Sequence, residues 1–113
     1  MDRIAQYRQV IEKVLTETYN FVKSGSGLDV EYQLLFDREH DSYALIVSGF
    51  EHRRRIHDFL LHFEIKNGKI WLQANNTDFE ITKDLEKAGI RKDEIVLGIH
   101  PPHLRPHTEY AAA

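Results

Sequence analysis

The chain has 113 residues, no cysteine and a formal net charge of −3, from 15 Lys and Arg against 18 Asp and Glu. This length predicts one domain over residues 1–113 with a modest core. The missing cysteines exclude disulfides, thiolate zinc sites and cysteine nucleophiles. The acidic balance argues against a protein that holds DNA mainly by its phosphates, so any DNA contact should be local or made through a partner. A cytoplasmic location is expected, because the N-terminus shows no signal-peptide pattern and no apolar run could cross a bilayer.

The first predicted element is a helix over residues 2–23. Apolar side chains recur there at helical spacing with charges between them: Ile4, Tyr7, Val10, Ile11, Val14, Leu15, Phe21 and Val22. The stretch Ser24-Gly25-Ser26-Gly27 should end this helix, since glycine supplies the backbone freedom that a C-terminal cap needs.

A four-stranded meander is predicted next. Residues 30–36 alternate as a half-buried strand, residues 37–41 form a polar, solvated turn, and residues 43–49 return. In the third strand, one face should carry His57, Phe59, Leu61, Phe63 and Ile65, with Asp58, Leu60, His62 and Glu64 opposite. Asn67-Gly68 predicts a type I′ hairpin turn into a fourth strand over residues 69–73.

The rest of the chain predicts a short helix, a last strand and a tail. Thr77 and Glu80 fit a capping box for a helix over residues 78–88, with Gly89 at its end. Residues 95–99 read as a buried strand. The predicted fold class is therefore α+β: an N-terminal helix, a four-stranded antiparallel meander, a short second helix, a C-terminal strand and an extended tail.

The histidines do not predict a metal site. His100, His103 and His107 have the spacing that would place imidazoles on one helix face, but three prolines in the same segment disfavour that helix. His57 and His62 differ in parity, so they should point to opposite faces of their strand. No metal or other cofactor is predicted.

Enzyme activity is not predicted either. Asp58, Glu64 and Lys66 follow the acid, acid-x-lysine order of restriction-type nucleases. The two carboxylates are six residues apart on one strand, however, roughly 20 Å at about 3.3 Å per residue, too far to share a metal. A metal-dependent nuclease therefore remains a minor alternative.

The basic residues form one cluster, Arg53, Arg54 and Arg55, beside His52 and His57. A solvated connection between strands is favoured over a phosphate site because the whole chain is acidic. The aromatic side chains are predicted to lie in the core, not on an exposed sheet that stacks on RNA bases, because they mostly take alternating strand positions. They are Tyr32, Phe36, Tyr43, Phe59, Phe63 and Trp71.

Several stretches together resemble the XisI family, the controlling factors for excision of the fdxN element in filamentous cyanobacteria. The most specific are "IKNGKIW" (residues 65–71), "DEIVLG" (93–98) and "RPHT" (105–108), and "YRQVIEKVLTE" (7–17) is similar to the family's opening helix. The resemblance covers essentially the whole chain. It implies that Arg105, Thr108 and residues 110–113 belong to the fold, so the tail should be structured.

The resemblance also implies a role: a non-catalytic controlling factor for site-specific DNA excision that acts through a XisH-type protein partner. Candidate contacts with the partner or with DNA are Arg53, Arg54, Arg55, Arg105, Thr108 and Tyr110. The alternative is a directionality factor that binds DNA directly through Arg53–Arg55. Homo-oligomers are a further expectation, since an edge strand and an extended tail offer surfaces for a symmetric partner.

Overall fold

The computed structural model describes residues 2–25 and 29–113. In chain order its elements are α1 (Arg3–Gly25), β1 (Asp29–Asp37), β2 (Ser42–Glu51), β3 (Arg54–Lys66), β4 (Lys69–Asn75), α2 (Ile81–Lys87) and β5 (Ile95–Leu97), with short 3-10 turns at Lys92–Glu94 and Arg105–His107. The predicted α+β class is confirmed, while Ser26 and Gly27 of the predicted helix stop lie outside the described residues. Within the described residues, no helix has the length and apolar character to span a bilayer.

The five strands form one sheet in the order β1-β2-β3-β4-β5. The first four are an antiparallel meander, as predicted, and β5 lies parallel to β4 after the crossover through α2. Asn67 and Gly68 have φ values of 53° and 73°, which confirms the predicted type I′ turn between β3 and β4.

The core lies between the sheet and the helices. The apolar face of α1 packs against one face of the sheet. The helical period places the apolar residues of α1 on one side, and the two-residue period of the strands places every second side chain on the facing side. The fully buried members are Ile11 and Leu15 from α1, Tyr43, Leu45, Leu61, Phe63, Ile70, Leu72 and Ile95 from the sheet, and Ile81, Leu85 and Ile90 from and after α2. We call the opposite side of the sheet the open face.

A buried carboxylate joins the start of α1 to the start of β5. Glu94 is 5% exposed, and its Oε2 accepts hydrogen bonds from Arg3 Nε at 2.6 Å and Tyr7 Oη at 2.5 Å. A second Arg3 nitrogen and the Arg91 backbone N–H donate to Oε1. These donors stabilise the charged form, the Arg3 bond most of all, and lower the pKa of Glu94 to about 2.

The turn between β1 and β2 is exposed over residues 37–40, as predicted, and two of its side chains also attach it to α1. Asp41 accepts two hydrogen bonds from Arg8, at 2.8 and 3.0 Å, and one from the Tyr43 hydroxyl at 2.9 Å. Arg38 pairs with Glu12 of α1. The turn therefore fixes the angle at which the first hairpin leaves the helix.

Strand β3 contains a bulge that the alternation rule missed. Leu45 pairs with Leu61, but the next residue, Ile46, pairs with Phe59, so Leu60 is the extra residue. Because of this extra residue, the side chains of β3 that precede Leu60 point to the opposite sheet face from the one that strict alternation predicts. Phe59 and His57 therefore lie on the open face, whereas Leu61 and Phe63 face the core, and the prediction of one shared face for these residues was wrong.

The second helix begins later than predicted, at Ile81, and the predicted capping box is absent. Glu80 occupies the N-cap position without a side-chain hydrogen bond. The Thr77 hydroxyl instead donates to Asn75 Oδ1 at 2.6 Å and accepts from the Phe79 backbone N–H at 3.2 Å. The Thr77 side chain therefore stabilises a local turn and does not cap the helix. Gly89, with φ of 98°, follows the helix end as predicted.

The C-terminal segment crosses back to the edge of the sheet. Prolines prevent a long helix, so it contains only the 3-10 turn at Arg105–His107. The Ala111 backbone N–H donates to the Ile95 carbonyl at 2.8 Å, and Ala111 forms a parallel bridge with Val96. The tail is structured, as the family resemblance implied.

Gly49 provides a test of the β1–β2 packing. Its φ is 155°, and a Cβ there would lie 2.3 Å from the Asp29 carbonyl oxygen and 2.7 Å from Val30 Cα. We expect Gly49→Ala to lower the free energy of unfolding by about 1–3 kcal/mol, because rigid backbone must move. Urea denaturation measures it, with Gly25→Ala as the control, since a Cβ at Gly25 meets nothing within 4 Å. Equal stability of the two variants would contradict the prediction.

Candidate functional site

The three clustered arginines lie at the exposed end of the β2–β3 hairpin. Arg53 is in the turn, and Arg54 and Arg55 begin β3. Arg55 pairs with Phe50 across the hairpin, with its guanidinium carbon 5.1 Å from the centre of the Phe50 ring. All three side chains are exposed, and none forms an ion pair within the described part of the chain. Their charge is therefore available to a ligand.

The open face next to this turn carries exposed aromatic rings. Phe50 is 47% exposed and Phe59 is 43% exposed. Phe59 lies there because of the bulge at Leu60, and its ring centroid is 5.3 Å from that of His62. The prediction that Phe59 belongs to the core was wrong. The sequence does hold one signal of the bulge, because Phe59, Leu60 and Leu61 are three consecutive apolar residues that break the alternation.

A second group of cations lies at the other end of β3. Lys66 Nζ is 4.5 Å and the Arg105 guanidinium carbon 5.0 Å from the ring centre of Trp71, which is 7% exposed. The Trp71 indole N–H donates to the Lys66 carbonyl at 3.1 Å. Arg105 donates through Nε to the His100 carbonyl at 3.0 Å. Sequence reasoning did not single out this arrangement, which the fold creates by laying the tail over β4.

The predicted tail residues differ in their availability. The Thr108 hydroxyl donates to the Arg105 carbonyl at 2.9 Å and accepts from the Tyr110 backbone N–H at 3.1 Å. The Tyr110 hydroxyl donates to Glu86 Oε2 at 3.1 Å. Both side chains thus hold the tail in place. The predicted contact residues form two separate groups, Arg53–Arg55 at one end of β3 and the tail residues near the other.

Ion pairs are distributed unevenly over the molecule. Among the described residues, the Lys and Arg side chains that pair with carboxylates belong to α1, the β1–β2 turn or residues 83–92: Arg3, Arg8, Lys13, Arg38, Lys83, Arg91 and Lys92. The cations of β3, β4, the hairpin turn and the tail have no such pairing there. Most cations without a carboxylate partner among the described residues therefore lie along the sheet and its tail, and Lys23 and Lys87 on the helices are the exceptions.

The carboxylates of the nuclease alternative diverge. Asp58 lies opposite Val47, whose face is the core side, and Glu64 lies opposite Ser42 on the open face. The Glu64 carboxylate accepts a hydrogen bond from Gln73 at 2.9 Å. The bulge thus turns the two acids to opposite faces of the sheet, which strengthens the sequence argument that they cannot share a metal.

His57 and His62 do not lie on the opposite sheet faces that their odd and even positions in the strand predicted. His57 lies opposite Ser48 and His62 opposite Ala44, so both are on the open face, and the prediction of opposite faces was wrong. Their β2 partners are four residues apart, roughly 13 Å. Among the described residues, no group of three or more His, Asp or Glu side chains could hold a metal ion.

An apolar groove lies on the opposite side of the molecule, between α1 and α2. Phe21, 65% exposed, and Phe79, 36% exposed, contact edge to face with ring centroids 5.4 Å apart. They border a cavity of about 330 Å³. The other lining residues are Lys13, Val14, Glu17, Thr18, Asp84, Lys87 and Ala88. We call this surface the helix groove, and its rim carries charges of both signs.

Comparison with known proteins gives a consistent result. The family model described as XisI protein matches residues 1–112. A crystal structure of a XisI-like protein from Anabaena variabilis ATCC 29413 is 37% identical, covers 96% of this chain and 98% of its own, and superimposes with a TM-score of 0.86. A crystal structure of the fdxN element excision controlling factor XisI from the same organism superimposes with a TM-score of 0.83. Its sequence is 32% identical, and the match covers 99% of this chain and 100% of that protein's chain. No curated protein shows significant sequence similarity.

Proposed function

The chain belongs to the XisI family, and on this premise we propose that it controls site-specific excision of a DNA element by binding a XisH-type protein, without catalysing a reaction itself. The excision role is supported by the solved structure of an fdxN element excision controlling factor at 32% identity. The non-catalytic part is supported by the divergence of Asp58 and Glu64 to opposite sheet faces. Other titratable groups, such as Glu94 and Asp41, are engaged in contacts that hold the fold together.

The observation that carries the partner proposal is the exposed Phe21–Phe79 pair in the helix groove. Protein interfaces have an apolar, often aromatic centre and a polar rim. The groove has this composition, because two phenylalanines lie beside a cavity whose rim holds two cations and two carboxylates. A rim of balanced charge suits a protein surface better than a polyanion. We therefore assign the helix groove to the XisH-type partner.

Co-expression with a XisH-type protein tests the proposal. We expect the two proteins to elute together from a size-exclusion column at low and high salt, because an apolar interface is weakly affected by salt. Phe21→Asp should weaken the complex by at least about tenfold, since truncating a central apolar anchor costs more than about 1 kcal/mol. Light scattering on the same column reports whether the chain associates with itself.

The matched control is Leu104→Asp, which places the same charge on another exposed apolar residue, 43% exposed in the tail. The complex should survive this change. Loss of binding in both variants, or in Leu104→Asp alone, would refute the assignment to the helix groove. Absence of any complex at micromolar concentration would refute the partner proposal itself.

A second candidate function, direct binding of duplex DNA through the hairpin turn, is favoured by one observation. Arg53, Arg54 and Arg55 are exposed and form no ion pair with the described residues. Phosphate contacts weaken steeply with salt, by a slope of about −0.9 per phosphate in log K against log salt. A salt-sensitive complex with duplex DNA, formed without the protein partner, would therefore support this alternative.

A further inference from the structure

The open face carries a line of side chains along β3 that combines exposed rings with cations that form no ion pair with any residue the structure describes. In order it comprises Arg55, His57, Phe59, His62, Glu64 and Lys66, and we call it the β3 track. Its ends are about 35 Å apart, from roughly 3.3 Å per residue. At one end Arg55 lies beside Phe50 and the other hairpin arginines, and at the other Lys66 lies beside Arg105.

We propose that the β3 track binds single-stranded DNA. An extended polyanion can contact cations at both ends of the track while its bases lie over the rings between them. Phe59 and Phe50 each leave nearly half of their surface exposed, and a phenyl ring stacks on a base only when that base is unpaired. A duplex hides its base faces, so the exposed rings favour a single strand.

The charge pattern supports the same ligand. None of Arg53, Arg54, Arg55, Lys66 or Arg105 is neutralised by a carboxylate within residues 2–25 and 29–113. Carboxylates do occur on this face. Asp29, Glu31 and Asp37 lie on β1, two strands from β3, and Glu64 lies within the track, where one of its oxygens accepts a hydrogen bond from Gln73. A strand that follows β3 therefore passes cations at both ends and one carboxylate, Glu64, which accepts a hydrogen bond from the neutral Gln73 amide.

This inference differs from the protein-partner proposal in surface and in ligand, because the track and the helix groove lie on opposite sides of the sheet. The preference for a single strand depends on the rings and charges alone. The preference for DNA over RNA rests on the proposed role in excision. The test uses the isolated full chain without a partner, so its failure would leave the partner proposal standing.

The experiment is fluorescence anisotropy with a labelled thymine oligonucleotide of about 10 nucleotides, a duplex of the same length and a matching uridine oligonucleotide. We expect the thymine single strand to bind more tightly than either. Phe59→Ala should weaken its binding by about 5- to 150-fold, the range for loss of one stacked base. Phe59→Trp should retain binding, and Phe59→Leu, which keeps apolar volume without a ring, should not.

The charges have their own test. Arg55→Gln should reduce the slope of log K against log salt by about 0.7, the value for one phosphate of a single strand. Lys23→Gln, which removes an exposed cation from the end of α1, should leave the slope unchanged. Because Phe59 and Arg55 are exposed, both variants should fold, and circular dichroism confirms this. Phe50→Ala provides a second aromatic variant if Phe59→Ala is unfolded.

Four results would overturn the proposal. Equal or tighter binding of the duplex would reassign the arginines to phosphate contacts alone. Equal or tighter binding of the uridine strand would overturn the assignment to DNA. A third result is that polyglutamate competes as effectively as the unlabelled thymine strand while Phe59→Ala has no effect on binding. This result would show that the track recognises acidic protein instead. No binding at low salt would also refute it.

Discussion

Trp71→Ala is expected to lower the free energy of unfolding by about 3–5 kcal/mol, the cost of removing a large aromatic side chain from a packed site. The indole is 7% exposed and fills the space between β4 and the tail. Its removal also takes away the ring that both Lys66 and Arg105 cover, at 4.5 and 5.0 Å. Urea denaturation followed by circular dichroism measures the loss.

The same variant should release the tail before the rest of the domain unfolds. Arg105 packs on Trp71, and the chain then returns to β5, where the Ala111 N–H donates to the Ile95 carbonyl at 2.8 Å. We expect hydrogen exchange at Ala111 to accelerate in Trp71→Ala more than at amides in the centre of the sheet.

Trp71→Phe is the matched control, because it keeps an aromatic ring for the two cations and loses mainly the indole N–H bond to the Lys66 carbonyl. It should cost about 1–2 kcal/mol, with Ala111 still protected. If Trp71→Ala lost stability without faster exchange at Ala111, the tail would be held by other contacts.

Glu94→Gln is expected to destabilise the protein by about 2–3 kcal/mol. The carboxylate accepts four hydrogen bonds, from two Arg3 nitrogens, the Tyr7 hydroxyl and the Arg91 N–H. An amide cannot replace them, since its NH₂ group would face donors instead of accepting from them. The estimate is below the 3–5 kcal/mol typical of a broken buried pair because the Arg3 side chain is 36% exposed to solvent.

The pH dependence of stability follows from the same carboxylate. Its pKa is about 2 in the folded protein against an ordinary value of 4.5, mainly because Arg3 stabilises the charged form. The depressed pKa means that the unfolded state binds a proton first as pH falls. The contribution is complete above pH 4.5 and is lost between about 4.5 and 2. Wild type should therefore lose more stability than Glu94→Gln across that window.

Glu109→Gln is the control for both measurements. Glu109 pairs with Lys92 at 3.1 Å, but its side chain is 70% exposed, so water and salt screen the interaction. Its substitution should leave the urea midpoint unchanged at neutral pH. A Glu94→Gln variant as stable as Glu109→Gln would mean that the bonds between α1 and β5 contribute nothing to the fold.

The elements that follow from local rules were predictable from the sequence. The spacing of apolar residues identified α1 and the meander, and Asn67-Gly68 identified its turn because both residues tolerate positive φ. The prolines correctly argued against a helical tail. Family resemblance added that the tail belongs to the fold, which no local pattern could show.

The surfaces were much less predictable, because they depend on contacts between distant residues. One bulged residue, Leu60, moved Phe59 from the predicted core to the open face. Thr77 and Glu80 have the spacing of a capping box, but the Thr77 hydroxyl accepts a hydrogen bond from the Phe79 backbone N–H in a turn and does not cap the helix. The availability of the arginines could not be read from a net charge of −3, since it depends on which carboxylates are used elsewhere.

The bulge at Leu60 divides β3 into two halves under different constraints. Leu61 and Phe63 are fully buried, so substitution there is limited by the cost of cavities or overpacking. His57 and Phe59 are exposed, so they can change with little loss of stability. One strand thus separates what natural selection must keep for folding from what it can alter for recognition, and relatives can diverge in ligand preference without a change in architecture.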